Sequence, residues 1–155
     1  MQTIRTNLEN MASTQYTNHD FTRMCVCKGK ILGAGPGGLF RIGCSDSDNG
    51  TPIDAYFIPV STNFGEINTK RLPFINFLGR CDGNLSYEVT GDDETTIGPY
   101  LAIANTSKGT QRIRTKGGRG MEFFYVSIKV SNVDGAFFAV DSIQVALSSE
   151  KRGIK

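Results

Sequence analysis

The sequence has very little of the chemistry on which most enzyme sites depend. It contains no tryptophan and a single histidine, His19, close to the amino terminus. A Ser/His/Asp or Cys/His arrangement would therefore have only this one imidazole to use. We assign no catalytic residue, and we predict that the protein is not an enzyme.

The chain also lacks long apolar runs. None approaches the ~20 residues that a membrane-spanning helix needs, and the start, MQTIRTNLENMAST, lacks the apolar core of a secretory signal. We therefore expect a soluble protein made in a cytosol, with no membrane partner. Its net charge of +2 is too small to indicate nucleic acid as a specific ligand.

What the sequence does contain is glycine and short strand patterns. Its 18 glycines fall mostly at segment boundaries, as a fold of many short strands and tight turns requires. No long amphipathic helix pattern follows residue 20. The pattern therefore predicts a jelly-roll-like antiparallel β-sandwich over 21–148 and a short polar tail over 149–155. The predicted strands before residue 120 are 21–28, 39–44, 55–60, 71–78, 85–90, 100–104 and 111–116.

Residues 1–20 are polar and have no clean periodicity. They predict an extended or flexible arm, since such a segment buries too little apolar surface to order itself. A short helix over 4–11 is an alternative within this arm. The arm is either a frayed terminus or a contact with a neighbouring subunit, and the sequence leaves both open.

The last third of the chain carries the strongest strand pattern. Residues 124–130 alternate apolar and polar side chains, a turn follows at 132–135, and the next run is again apolar. The pattern predicts a β-hairpin over 121–147, with Gly135 at positive φ and a bulge near 141–142, where the inward parity switches. The predicted core residues are Phe124, Val126, Ile128, Val130, Leu85, Tyr87 and Val89.

The segment 71–78 is apolar on both parities, which is typical of a strand in the middle of a sheet. Pro73 cannot donate a hydrogen bond to a neighbouring strand. We therefore predict a central strand whose first residues form an edge or a bulge.

The segment 31–39, ILGAGPGGL, matches the pattern G-x-G-x-x-G of dinucleotide-binding enzymes. In those enzymes the motif opens a helix whose amino terminus receives the pyrophosphate. Here residues 40–52 contain glycines, a proline and an Asp/Ser run, which leave no room for a helix. We predict a flexible loop over 33–38, with no dinucleotide and no other cofactor.

The four cysteines are the remaining candidates for metal chemistry. Cys25 and Cys27 share one strand face at a spacing compatible with a metal. A complete zinc site would need Cys44 and Cys81 from distant strands. We predict free, buried thiols that pack as small hydrophobic residues, and no metal site.

Two acidic clusters, at 46–50 and 92–94, are candidates for a carboxylate or calcium site. The first lacks the glutamate with which an EF-hand loop ends. Solvated turns are the simpler interpretation of both, because charged residues in such clusters usually face water.

Five basic residues gather on and beside the strand predicted over 111–116. Within that strand they share one parity, and the strand can be an edge that charge protects from pairing with other sheets. Alternatively, they contact the acidic surface of a partner subunit or of nucleic acid. The sequence leaves both open. These candidate interaction residues are Lys108, Arg112, Arg114, Lys116 and Arg119.

Several short phrases occur together in the later part of the chain. They are Asn63-Phe64-Gly65, Lys70-Arg71-Leu72, Asp82-Gly83-Asn84-Leu85, Gly118-Arg119-Gly120-Met121, Asn132-Val133-Asp134-Gly135-Ala136-Phe137 and Asp141-Ser142-Ile143. In order and spacing, residues 55–148 resemble the β-rich neck and tail proteins of tailed bacteriophages. The resemblance implies a non-enzymatic structural subunit of the virion, in its neck or tail or associated with its capsid. Such a subunit forms a symmetric homo-oligomer and contacts other virion proteins.

A carbohydrate- or receptor-binding β-sandwich module is the alternative function. Sugar-binding proteins usually present an exposed aromatic platform, which is often tryptophan. Here only tyrosines and phenylalanines are available, and most of them fit core positions. The sequence therefore favours the structural subunit.

Overall fold

Every regular element that the structure describes is a β-strand, and the strands pair antiparallel. The prediction of an all-β protein is therefore confirmed. The predicted tail lies outside the described residues from 150 onward. This computed structural model describes residues 3–9, 11, 13–16, 20–43, 47–48, 50–106, 109–117 and 120–149.

The chain divides into two compact units, residues 1–45 and 46–155. In the first unit β1 pairs with β2, and β4 lies between β3 and β5 in a three-stranded sheet. The predicted domain boundary at residue 20 falls inside this unit. The alternative of a short helix over 4–11 is not supported, because residues 3–6 form a strand, in which β-branched Thr and Ile side chains favour extended backbone. The strands are β1 (Thr3–Thr6), β2 (Ser13–Tyr16), β3 (Arg23–Cys27), β4 (Lys30–Gly35) and β5 (Gly38–Ile42).

The glycine-rich segment 33–38 is not a flexible loop, so that prediction is wrong. Gly33 lies within β4, and β5 begins directly after a tight turn. A Cβ atom at position 33 would stand 2.7 Å from the ring of Phe21, so glycine here lets Phe21 pack directly on the strand. The element after the motif is a strand paired with β4, whereas a dinucleotide site needs a helix there.

The second unit begins with a small hairpin and continues into two larger sheets. The predicted strand over 111–116 has the observed bounds, whereas the strand predicted over 55–60 shrinks to two residues. The strands are β6 (Ser47–Asp48), β7 (Thr51–Pro52), β8 (Tyr56–Phe57), β9 (Lys70–Cys81), β10 (Leu85–Gly91), β11 (Thr96–Ala102), β12 (Gln111–Lys116), β13 (Glu122–Phe123), β14 (Val126–Asn132) and β15 (Phe138–Ser149).

We call the two larger sheets the β9 sheet and the β10 sheet. In the β9 sheet, β9 pairs with β15 along one edge and with β12 and then β13 along the other. In the β10 sheet the order is β11, β10, β14, β8. The chain therefore passes repeatedly between the sheets: β8, β10, β11 and β14 belong to one, and β9, β12, β13 and β15 to the other.

Both sheets contribute to one buried core. The rings of Phe77, on β9, and Tyr87, on β10, lie 5.5 Å apart between their centroids, so the sheets are in direct contact. Burial of each large apolar side chain is worth about 1.5–3 kcal/mol. The core residues are Leu72, Ile75, Phe77, Cys81, Leu85, Tyr87, Val89, Ala102, Ile113, Met121, Phe123, Val126, Ile128 and Val130.

All of the predicted core residues are buried except Phe124, which is 47% exposed. The preceding Phe123 is buried in its place, with 1% of its surface exposed. The chain bends at residues 124–125 as it leaves β13 for β14 in the other sheet. This bend resets the alternation of inward and outward side chains, so the predicted single period over 124–130 is wrong at Phe124.

The predicted hairpin over 121–147 is also wrong, because β14 and β15 lie in different sheets and do not pair. The turn predicted within it, at 132–135, is present. The amide of Ala136 donates to the carbonyl of Val133 at 3.1 Å, and Asp134 and Gly135 both have positive φ. The turn therefore connects the two sheets and does not fold one strand back on the other.

Two bulges adjust the pairing of β9 with β15. Asp141 is an extra residue on β15, between the pairs Val140–Gly79 and Ser142–Leu78, as the switch of inward parity predicted. A second irregularity falls on β9 at Pro73, where the register shifts between Phe74 and Arg71. The central position of β9 and the bulge at its first residues are thus confirmed.

Candidate interaction surface

The predicted basic strand is β12, and within the described residues it pairs only with β9. Gln111 and Ile113 face the core, while Arg112, Arg114 and Lys116 are exposed on the opposite side. The two-residue spacing of these cations places them on one side of the β9 sheet. β12 is therefore both an edge strand and a row of positive charge.

Neighbouring side chains of β9 hold the two arginines against the sheet. The guanidinium carbon of Arg114 lies 4.1 Å from the centroid of the Phe74 ring, a cation–π contact. The Nε of Arg112 donates a hydrogen bond to Oδ1 of Asn76 at 3.2 Å. Both contacts position a positive charge without neutralising it.

No carboxylate that the structure describes pairs with Arg112, Arg114 or Lys116. The described ion pairs lie elsewhere, at Arg71–Glu122 and Lys129–Glu88. The outer side of the β9 sheet is consequently rich in uncompensated positive charge, which attracts acidic surfaces over roughly 8–10 Å at physiological salt.

Arg80 was missed by the sequence pattern and belongs to the same side of the sheet. It is exposed on β9 and alternates with the inward residues Gly79 and Cys81. Arg80 is far from β12 in the sequence. Only the pairing of β9 with β12 shows that it lies on the same side of the sheet as the cations of β12. The basic face is defined as Arg80, Arg112, Arg114 and Lys116. The predicted Lys108 and Arg119 lie outside the described residues.

Lys70 is a second residue that the pattern did not single out, and it is fully buried. Its ammonium group donates to the carbonyls of Glu66 at 2.8 Å and Asn68 at 2.9 Å, with the carbonyl of Phe124 at 3.5 Å. These contacts join the segment before β9 to the bend between β13 and β14. The role of this cation is to fix the backbone.

The predicted buried thiols are only partly correct. Cys81 is buried in the core, but Cys25 and Cys27 are exposed on β3, all of whose residues are exposed. Burial raises the pKa of the Cys81 thiol, and the charge of Asp82 raises it further. Cys44 and the predicted His19 lie outside the described residues.

The carboxylates of the acidic turn at 92–94 accept hydrogen bonds from neighbouring parts of the chain. Asp92 Oδ1 accepts a hydrogen bond from the amide of Phe124 at 2.9 Å. Asp93 accepts from both the amide and the hydroxyl of Thr95, and these bonds lower the pKa of Asp93. Each carboxylate therefore satisfies a backbone amide.

Comparisons of the chain with protein-family models, with curated proteins and with solved structures found no match. Within the described ranges, no three His, Cys, Asp or Glu side chains come together as metal ligands. In the same ranges no helix is long and apolar enough to cross a membrane.

Proposed function

We propose that the chain is a non-enzymatic structural subunit of a bacteriophage particle, in the neck, in the tail or associated with the capsid. It assembles as a symmetric homo-oligomer, contacts other virion proteins and resides in the virion. Residues 46–149 form a jelly-roll-like β-sandwich in this proposal. The order in which the strands pair is the observation that carries the proposal.

Three of the strand pairs of the second unit are nested inside one another. The innermost pair is β10 with β11, the next is β9 with β12, and the outermost is β8 with β14. A long two-stranded ribbon that wraps into two facing sheets gives this order. The jelly roll, a double-sheet fold of viral capsid and lectin domains, manages its edges in this way.

The polar groups of the second unit support a structural role. Lys70 binds backbone carbonyls, and Asp92 and Asp93 accept hydrogen bonds from backbone groups. The hydroxyl of Tyr87 bonds to Thr115 across the core. Each of these groups therefore holds a hydrogen bond that stabilises the fold.

The basic face supports assembly through an acidic neighbour. Its arginines are positioned by Phe74 and Asn76 yet carry no counter-charge among the described residues. A complementary surface on another subunit or another virion protein would supply that charge and raise the association rate. The amino-terminal hairpin of β1 and β2 is the second proposed contact.

Charge reversal tests this proposal. Arg112→Glu with Arg114→Glu should weaken co-sedimentation with the other virion components and lower the oligomeric mass, while the far-UV CD spectrum stays β-like. Removal of residues 1–20 should do likewise. The matched control is Arg23→Glu with Arg41→Glu, two exposed cations of the first unit, which should assemble as the parent does. Unchanged assembly of both test variants would exclude these two contacts.

A carbohydrate- or receptor-binding module remains the alternative function because several aromatic rings are exposed. Tyr56, Phe124, Tyr125 and Phe137 all present substantial surface to solvent, and exposed rings are what a sugar platform requires. A glycan array decides between the two functions. Saturable binding that is lost in Tyr56→Ala or Tyr125→Ala would favour the alternative.

A further inference from the structure

The two edges of the β9 sheet differ in how they are protected. β12 carries three cations within six residues, whereas β15 carries one charged residue, Asp141, within twelve. Edge strands expose unpaired backbone groups, and proteins usually block them with Lys, Pro or short length. From Ser142 to Ser149 β15 has none of these devices.

Side chains on β15 that face the core stay only partly buried. Ile143 and Val145 lie opposite Phe77 and Ile75 of β9, which are almost fully buried. Ile143, Val145 and Leu147 keep exposed surface because β15 is the last described strand on this side of the sheet. A further strand beside β15 would cover that apolar surface.

The nested strand order says where such a strand belongs. If the nesting continued beyond the pair β8–β14, β15 would pair with a strand that comes before β8 in the chain. The described residues before β8 form the two-residue strands β6 and β7, which pair with each other. Within the described chain, β15 pairs with β9 alone.

We propose that β15 pairs antiparallel with β15 of a second copy of this chain, which joins two β9 sheets into one. The two-fold axis passes at Val145, so that Val145 faces its own copy, Ile143 faces Leu147, and Gln144 faces Ala146. This register puts apolar residues on the core side and uncharged residues outside. It opposes no like charges, and the bulge at Asp141 stays at the end of the contact.

The partner is a second copy because this edge is self-complementary. A two-fold contact uses the same patch on both subunits, so it closes on itself and leaves neither β15 edge free to add further copies. The inference rests on the proposed function in one respect: it names the surface through which the homo-oligomer forms.

Disulfide trapping tests the register directly. Gln144→Cys with Ala146→Cys is placed in a full-length chain that also carries Cys25→Ser, Cys27→Ser and Cys44→Ser. The buried Cys81 is kept. Directly opposed residues have Cβ atoms about 4.5–5.5 Å apart, near the separation that a disulfide needs. We expect a covalent dimer under oxidation, in the double variant and in an equal mixture of the two single variants.

The matched control is Arg112→Cys with Arg114→Cys in the same background, at the same spacing on the opposite edge of the sheet. It should give little covalent dimer. Equal crosslinking by the control, or none by the β15 pair, would overturn the proposal. So would crosslinking of Gln144→Cys to Cys25 or Cys27 in a chain that retains them, since a different strand would then occupy the edge.

Added charge provides a second measurement that needs no crosslink. Gln144→Lys with Ala146→Lys opposes like charges across the two-fold axis and should reduce the dimer to single chains by light scattering. Leu101→Lys with Ile103→Lys, two exposed positions at the end of β11 and just after it, is the control and should leave the dimer intact. An unchanged dimer in the β15 variant overturns this inference while the subunit role stands. A β15 dimer that enters no larger assembly with virion components supports the inference and contradicts the subunit role.

Discussion

The hydroxyl of Tyr87 on β10 lies 2.9 Å from Oγ1 of Thr115 on β12, so a polar contact links the two sheets through their core. The same hydroxyl donates a hydrogen bond to the carbonyl of Lys116. A buried polar group that loses its partner keeps its desolvation penalty. This contact therefore stabilises the packing of the two sheets as well as the tyrosine itself.

Tyr87→Phe should lower the free energy of unfolding by about 1–2 kcal/mol, because the carbonyl of Lys116 loses its donor. Urea denaturation followed by far-UV CD measures the change. Tyr100→Phe is the matched control, since its hydroxyl forms no hydrogen bond with the described residues, and it should cost less than about 0.5 kcal/mol. Equal losses in both variants would contradict the role of the Tyr87 hydroxyl.

Alkaline pH should destabilise the protein through Tyr87. Burial raises the pKa of Tyr87, and this outweighs the hydrogen bond from Thr115, which lowers the same pKa. A raised folded-state pKa means that stability is fully present below about pH 10, the ordinary value for tyrosine, and is lost as the pH rises further. Urea midpoints measured across this range should fall less steeply in Tyr87→Phe than in the parent. Parallel curves would exclude Tyr87 as a cause.

The bend between the sheets predicts very unequal losses of stability for two adjacent phenylalanines. Phe123→Ala should lower the free energy of unfolding by about 3–5 kcal/mol, because it opens a cavity in the core. Phe124→Ala removes an exposed ring and should change it by no more than about 0.5 kcal/mol. Thermal or urea unfolding of the two variants measures both values, and the reverse order would restore the simple alternation over 124–130.

The buried ammonium of Lys70 should contribute more to the free energy of unfolding than the ammonium of an exposed lysine. Lys70→Met leaves the carbonyls of Glu66 and Asn68 without their donor, and we expect a loss of about 1–3 kcal/mol. Lys116→Met, the same change at an exposed position, should have little effect on stability. Unfolding by urea compares the two, and similar stabilities would mean that the carbonyl contacts of Lys70 contribute nothing.

The sequence predicted those parts of the fold in which a local pattern decides the structure. Alternation placed Leu85, Tyr87 and Val89 in the core, and a switch of parity placed the bulge at Asp141. The sequence pattern failed where the pairing of a strand depends on strands that are distant in the chain. Whether the strands on either side of Gly135 pair with each other depends on β9 and β10, which no local period can show.

The candidate surface was predictable to a similar extent. The spacing of Arg112 and Arg114 was sufficient to place both on one side of a strand. Arg80 was hidden because it joins them only through the pairing of β9 with β12. Lys70 was hidden as well, because a lysine at the start of a strand gives no sign in the sequence that backbone carbonyls surround it.

The oligomeric mass of the full-length protein at two salt concentrations tests the central claim most directly. We predict a mass of several chains at about 50 mM salt and a smaller oligomer at about 500 mM, because salt screens contacts of the basic face. The uncharged contact between β15 strands should persist at the higher concentration. A protein that has the mass of one chain under both conditions, even at high protein concentration, would contradict the account.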